Sequence, residues 1–178
     1  MKKRILMITA PLALGVMVTA GVLAGGGGVF APWAHMTQKG AAMMKMAGQD
    51  ASNSALPTAE EVGVPCYPGA VVISYPHMEI NGKPSPMEAL NLGAPDTPDK
   101  VLAFYKAELA KIPGWEWDAQ FKFFHKGGSA MDAIAEKVPG LTIQELNPES
   151  FDLKMVDPAV ARTLKTRIQV MFKAPRPK

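Results

Sequence analysis

Two sets of side chains in this sequence have the chemistry of a binding or catalytic site, and the first combines one imidazole with several thioethers. Its members fall between residues 35 and 46: His35, Met36, Met43, Met44 and Met46. Imidazole and thioether ligands together suit Cu(I). The methionines are also spaced by one or two helical turns, so an apolar stripe that packs on a partner or a membrane explains them equally well. The metal site is therefore a hypothesis, and no cofactor is predicted.

The second set consists of the single thiol, Cys66, and two histidines at predicted strand ends, His77 and His125. A thiolate and an imidazole form the nucleophile and base of thiol enzymes. No acid stands at a spacing that would orient either histidine. The sequence also lacks a Cys-x-x-Cys pair, a phosphate loop and a Gly-x-Ser-x-Gly elbow. We therefore predict a protein that is not an enzyme, with a thiol-dependent enzyme as an alternative.

The net charge of +3 lies entirely in the first residues of the chain. Of 19 basic residues, Lys2, Lys3 and Arg4 account for the excess over 16 acidic residues. Because the rest of the chain is balanced, it has no global field that would concentrate phosphate, and no nucleic-acid partner is predicted.

A local basic excess follows Asp157, where Arg162, Lys165 and Arg167 alternate with apolar residues on a predicted strand. A solvated sheet face explains this pattern, and a patch that binds an anionic partner is the alternative. One aromatic residue, Phe124, breaks the inward phase of its predicted strand. It is therefore predicted to be exposed and to be a candidate contact residue.

The N-terminal segment gives the strongest signal. No charged residue occurs from Ile5 to Ala24, and a helix of this length spans about 30 Å, the thickness of a bilayer core. The side chains expected to contact lipid are Ile5, Leu6, Leu12, Leu14, Val16, Val18, Val22 and Leu23. A retained anchor leaves the basic N-terminus in the cytoplasm and the domain in the periplasm. Small residues at Ala20 and Ala24 also fit a cleaved secretory signal, after which the protein would be periplasmic or secreted.

Three regions follow from this reading. Residues 1–24 are an anchor or signal peptide, residues 25–65 are a flexible tether rich in Gly, Met and Ala, and residues 66–178 form an exported α+β domain. The tether begins with four glycines and contains Pro57 and Pro65, which disfavour regular structure.

The domain pattern predicts an antiparallel sheet of about four to six strands, packed by one main amphipathic helix and one short helix. Thr97-Pro98 begins the main helix and Ser129 the short one. Asn81-Gly82 is expected to fold 71–80 back onto 87–93, with Pro84 and Pro86 weakening the return strand or placing it at an edge. Further strands are predicted over 115–123, 141–146, 151–156 and 164–173.

Part of the domain resembles a group of small exported bacterial proteins, many of them lipoproteins. The resemblance covers roughly residues 65 to 125 and rests on Pro65-Cys66-Tyr67-Pro68-Gly69-Ala70, Pro95-Asp96-Thr97-Pro98, Val101, Phe104-Tyr105, Leu109 and Gly114-Trp115. It implies a fold and a compartment rather than an activity. This chain departs from the group by lacking a cysteine for lipid attachment and by an insertion after Gly127.

Together these patterns predict a non-catalytic accessory or scaffold subunit of a bacterial cell-envelope complex. The predicted partners are the inner membrane, through the N-terminal helix, and an envelope protein. A periplasmic module that binds copper or a small ligand is the alternative of a different class.

Overall fold

The computed structural model describes residues 35–40, 42, 56–75, 79–80, 83–84, 86–150, 153–154 and 156–173. Its strands are β1 (His35–Met36), β2 (Val71–Ser74), β3 (Glu79–Ile80), β4 (Lys83–Pro84), β5 (Met87–Ala94), β6 (Trp115–Asp118), β7 (Phe123–Lys126), β8 (Gly140–Glu145) and β9 (Thr166–Lys173). Its helices are α1 (Ala59–Val62), α2 (Pro98–Leu109), α3 (Ala130–Ile134) and α4 (Pro158–Ala161).

One sheet has the order β1-β2-β5-β9-β8-β7-β6, and β3 pairs with β4 in a separate small hairpin. Every neighbouring pair from β2 to β6 is antiparallel, whereas β1 pairs with β2 in parallel at the edge. The α+β class with a six-stranded antiparallel sheet is thus confirmed. The apolar helix predicted within 1–24 lies outside the described residues. In the described part of the chain, no helix is both long enough and apolar enough to span a bilayer.

The predicted fold-back of β2 onto β5 is present, but β5 is not a weakened or edge strand. It pairs with β2 on one side and along all eight residues with β9 on the other. Both prolines lie outside it, since Pro84 belongs to β4 and Pro86 precedes Met87. The backbone N–H groups of β5 therefore remain available for ladder hydrogen bonds on both edges.

Helix α2 covers one side of the sheet, here called the first face. Thr97 is its N-cap and Pro98 its first residue, a position where a missing N–H costs nothing. Val101, Tyr105 and Leu109 recur at four-residue spacing and are buried against the sheet. They belong to the first core cluster, which also takes in Leu90, Leu92, Leu141, Ile168, Val170 and Phe172. The folded unit includes residues before the predicted boundary at 66, because Val62 and Val64 are buried in the same cluster.

The prediction of one strand over 115–123 is wrong. These residues form β6, a turn and the first residue of β7, and the two strands pair as a hairpin. The turn begins at Asp118, whose Oδ1 accepts hydrogen bonds from the backbone N–H groups of Gln120 and Phe121 at 2.9 and 2.8 Å. Lys122 then adopts a positive φ of 56°. This turn shifts the alternation, so Phe124, which was predicted to be exposed, is 3% exposed. Its ring packs on Trp117 at 4.7 Å between centroids.

The opposite side of the sheet, the second face, is covered at two places. Helix α3 has Ser129 as its N-cap, with a reciprocal capping box to Asp132, and packs over β7. At the other end, the second core cluster consists of Ile73, Leu146, Val156 and Leu164. The predicted strand 151–156 is not seen in its described residues, where Leu153 and Lys154 form a short 3-10 turn.

Three of the segments on which the predicted resemblance rests, 65–70, 95–98 and 104–105, meet beside the start of α2. The Tyr67 hydroxyl donates to Asp96 Oδ2 at 2.9 Å, and its ring makes an edge contact with Phe104 at 5.1 Å. Gly69 has a φ of +75° and lies against Pro95. These residues thus connect β2, β5 and α2 through packing and hydrogen bonds.

Asp96 should make the stability of the domain sensitive to acid. Hydrogen bonds from Lys100 Nζ at 2.8 Å and from Tyr67 hold the pKa of this carboxyl below its ordinary value of 3.8. A lowered folded-state pKa stabilises the fold above the unfolded pKa, and the effect is lost as the pH falls through the folded pKa. We expect Asp96→Asn to lower Tm at neutral pH, with the difference from the wild type disappearing in strong acid.

Thermal unfolding followed by circular dichroism across this pH range measures the effect. Glu116→Gln, an equal charge change at an exposed position of β6, is the control. A difference between Asp96→Asn and the wild type that persists unchanged below pH 3.8 contradicts the prediction.

Candidate ligand groove

The loop between β8 and β9 is much longer than the sheet requires. Glu145 and Thr166 are directly paired across the two antiparallel strands, a geometry that a turn of about two to five residues can close. The chain instead inserts residues 146–165, which include α4. A long loop with adjacent ends, packed by its own side chains, is frequently functional.

Loop 146–165 encloses a groove of about 450 Å³. Apolar side chains of the loop line most of it: Leu146, Pro148, Leu153, Val156, Pro158, Ala161 and Leu164. Three of these, Leu146, Val156 and Leu164, also belong to the second core cluster. The floor of the groove is therefore continuous with the hydrophobic core and is held in place by it.

Charged side chains stand around this apolar floor. The described lining residues include the cations Lys39, Lys154 and Arg162 and one carboxylate, Glu149. Asp152, in the same loop, lies outside the described residues. Lys39 lies three residues after β1, the strand that pairs with the sheet edge through His35 opposite Val71. The groove thus combines groups that are distant in sequence.

Backbone hydrogen bonds fix the loop at both ends and within its turns. The Leu146 N–H donates to the Lys165 carbonyl at 2.9 Å, and the Lys165 N–H donates to the Ala94 carbonyl at 2.8 Å. Within the loop, the Glu149 N–H donates to Asn147 Oδ1 at 2.9 Å. These bonds fix the described ends of the loop and its turn at Asn147, as expected of a preformed ligand site.

The combination of an apolar floor and cationic groups determines what the groove can hold. An apolar chain would lose its contact with water on the floor, while an anionic group would lie near the lysines and Arg162. In the described part of the chain, no three His, Cys, Asp or Glu side chains are grouped so that they could hold a metal ion. The arrangement favours binding of an amphipathic anion.

The predicted copper ligands are only partly described. His35 and Met36 form β1, and Met43, Met44 and Met46 lie outside the described residues. The copper site stays a prediction.

The structure does not bring Cys66 and His125 together. Cys66 packs against the first core cluster, and its thiol donates to the Tyr67 carbonyl at 3.5 Å. His125 is buried on the second face, where its Nδ1 lies 3.4 Å from the Gly127 carbonyl oxygen and its ring contacts Phe123. His77 lies outside the described residues.

The predicted basic patch divides into three environments. Arg162 follows α4 and lines the groove, so it does not lie on a strand as predicted. Lys165 is exposed just before β9. Arg167 lies on β9 and donates from Nε and Nη2 to Asn91 Oδ1 at 3.2 and 2.9 Å. Only Arg162 of this set contributes to the groove.

Sequence reasoning missed both the groove and the polar group on the second face. Asn91, on central strand β5, is 4% exposed and donates to Ser74 Oγ at 3.0 Å. Its position within a run of apolar residues was the available signal. The length of the segment between the last two strands was the corresponding signal for the groove.

The second face also carries exposed apolar side chains near β7. Phe121, Met131 and Ile134 are 42%, 59% and 51% exposed, and the last two, which share α3, are here called the apolar patch. Phe121 packs on Phe123 with 6.2 Å between ring centroids. Met131 and Ile134 lie one turn apart on α3, whose Ala133 faces Gly140. Single exposed apolar side chains are ordinary, whereas adjacent ones that form a continuous apolar surface are a feature of interaction sites.

Comparisons of this chain with protein-family models, curated proteins and solved structures find no match.

Proposed function

We propose that the protein is a non-catalytic accessory subunit of a bacterial cell-envelope complex. In this proposal the apolar segment 5–24 holds the chain at the inner membrane, and the folded domain binds an envelope protein in the periplasm. The observation that carries the proposal is the apolar patch, in which Met131 and Ile134 are exposed side by side on α3 of an otherwise well-packed domain.

The character of the patch suits a protein partner. Aromatic residues and methionine are enriched in protein interfaces, and a few such side chains supply most of the binding free energy. Lys122, Lys126 and Glu136 are exposed on the same β6–β7 and α3 region, so charges of both signs stand near the apolar groups. An apolar centre with a polar rim is the usual composition of a reversible interface.

Cross-linking of the full chain in its own bacterium tests the proposal. We expect the protein in the inner-membrane fraction, cross-linked to a discrete partner on a native gel after detergent extraction. The double variant Met131→Ser and Ile134→Ser should reduce the cross-linked fraction about tenfold, because interface hot spots contribute roughly this much or more.

A matched variant with Asp99→Ser and Lys111→Ser changes two exposed side chains at α2 and just after it, away from β7 and α3, and should cross-link as the wild type does. Equal cross-linking of the patch variant and the wild type would exclude this surface. Recovery of the full chain from the cytosolic fraction would overturn the proposed location.

A further inference from the structure

We propose that the groove in loop 146–165 binds a single-chain amphiphile with a carboxylate head, such as a long-chain fatty acid. The acyl chain would lie along the apolar floor, and the carboxylate would be held near Arg162 and Lys39. This inference goes beyond the proposed accessory function, because it assigns the domain a ligand that is independent of any protein partner.

Charge complementarity is the first argument. Among the described lining residues, Arg162 and Lys39 are the cations considered as ligand contacts, because the third cation, Lys154, already makes an interaction of its own, and the described carboxylate is Glu149. Arg162 can bind a carboxylate in a bidentate geometry, which a lysine cannot reproduce. A cationic amphiphile of equal length would meet like charges at the same positions, so the groove should discriminate between the two heads.

The size and lining of the groove are the second argument. Its volume of about 450 Å³ falls in the lower half of the range that holds one drug-sized ligand, roughly 300–1,000 Å³. A volume of this size suits one acyl chain better than a two-chain phospholipid. An acidic peptide would bring backbone N–H and C=O groups over a floor of leucine and valine side chains, where they would lack hydrogen-bond partners.

The position of Lys39 is the third argument. This side chain reaches the groove from the segment that follows β1, and β1 pairs with the edge of the sheet. A ligand that contacts both Lys39 and Arg162 would connect the segment that follows β1 to loop 146–165. Ligand binding should then stabilise the pairing of β1 with β2, because a ligand stabilises the state that binds it more tightly.

Photolabelling of the full chain in phospholipid nanodiscs tests the proposal. The probe is a hexadecanoic acid that carries a diazirine on its chain, and peptide mass spectrometry locates the label. We expect labelled peptides from loop 146–165, with labelling prevented by excess dodecanoate but not by dodecyltrimethylammonium. Arg162→Glu should reduce this labelling about tenfold, as expected for the loss of a charge-assisted hydrogen bond.

Two further variants keep the result interpretable. Lys126→Glu makes the same charge change on β7, outside the groove, and should label as the wild type does. Ala161→Trp adds volume on α4 inside the groove and should abolish the labelling while the Tm shows that the domain is folded. Equal labelling of Arg162→Glu and the wild type overturns the proposal, as does competition by an acidic peptide but not by dodecanoate.

Discussion

Replacing Phe172 with alanine is expected to lower the free energy of unfolding by about 3–5 kcal/mol, the usual cost of truncating a buried phenylalanine. Phe172 is 1% exposed in the first core cluster. Its ring stacks on Tyr75 with 6.4 Å between centroids, and its strand, β9, is paired on both sides. The site cannot collapse easily, so most of the cavity should remain.

The same substitution at Phe121 provides a matched control. Phe121 is 42% exposed in the β6–β7 turn, so Phe121→Ala should change the unfolding free energy by only about 0.5 kcal/mol. Chemical denaturation of both variants, followed by tryptophan fluorescence, measures the difference. Similar losses of stability in the two variants would contradict the burial of Phe172 in the first core cluster.

The second large effect is expected at the contact between Asn91 and Arg167. Asn91 is buried, and its side-chain oxygen accepts two hydrogen bonds from the guanidinium. Arg167→Leu removes these donors and leaves a buried amide oxygen without them, which costs about 1–3 kcal/mol. Asn91→Leu is expected to cost a similar amount, because it removes one acceptor, which takes two hydrogen bonds from a half-buried cation.

A double-mutant cycle separates this contact from the other effects of each substitution. The double variant should be less destabilised than the sum of the single variants, with a coupling of about 1.5–3 kcal/mol. Lys165→Leu combined with Asn91→Leu is the control, since Lys165 is exposed and outside the sheet. If the losses of stability for the Asn91 and Arg167 variants are additive, the contact between the two side chains contributes no coupling free energy.

Elements that depend on local signals could be predicted from the sequence. Thr97-Pro98 predicts the start of α2 because an N-cap and a proline at the first helical position act within the same few residues. Ser129 and Asp132 likewise predict α3 through their capping box. The alternation of apolar residues on β9 predicts an amphipathic strand, and the structure buries Ile168, Val170 and Phe172 on the first face.

Features that depend on distant contacts could not be predicted in this way. The pairing of β1 with β2 joins residues 35–36 to residues 71–72, and no local pattern specifies such a register. The turn at Asp118 was missed because Ala119 and Phe121 continue the apolar alternation, whereas the Asp118 carboxylate favours the turn. The groove depends on Lys39 and on a loop that begins more than a hundred residues later, so its composition is a tertiary property.

Under the proposed membrane anchorage, the two-residue strand β1 would limit the distance between the domain and the bilayer. If the apolar segment ends in the bilayer at Ala24, only residues 25–34 separate it from the sheet. A fully extended chain of this length reaches about 35 Å. The tether predicted from the sequence, about forty residues up to Pro65, would reach much further. The domain would therefore work close to the bilayer surface, within range of partners and ligands that leave or enter the lipid, rather than sampling the width of the periplasm.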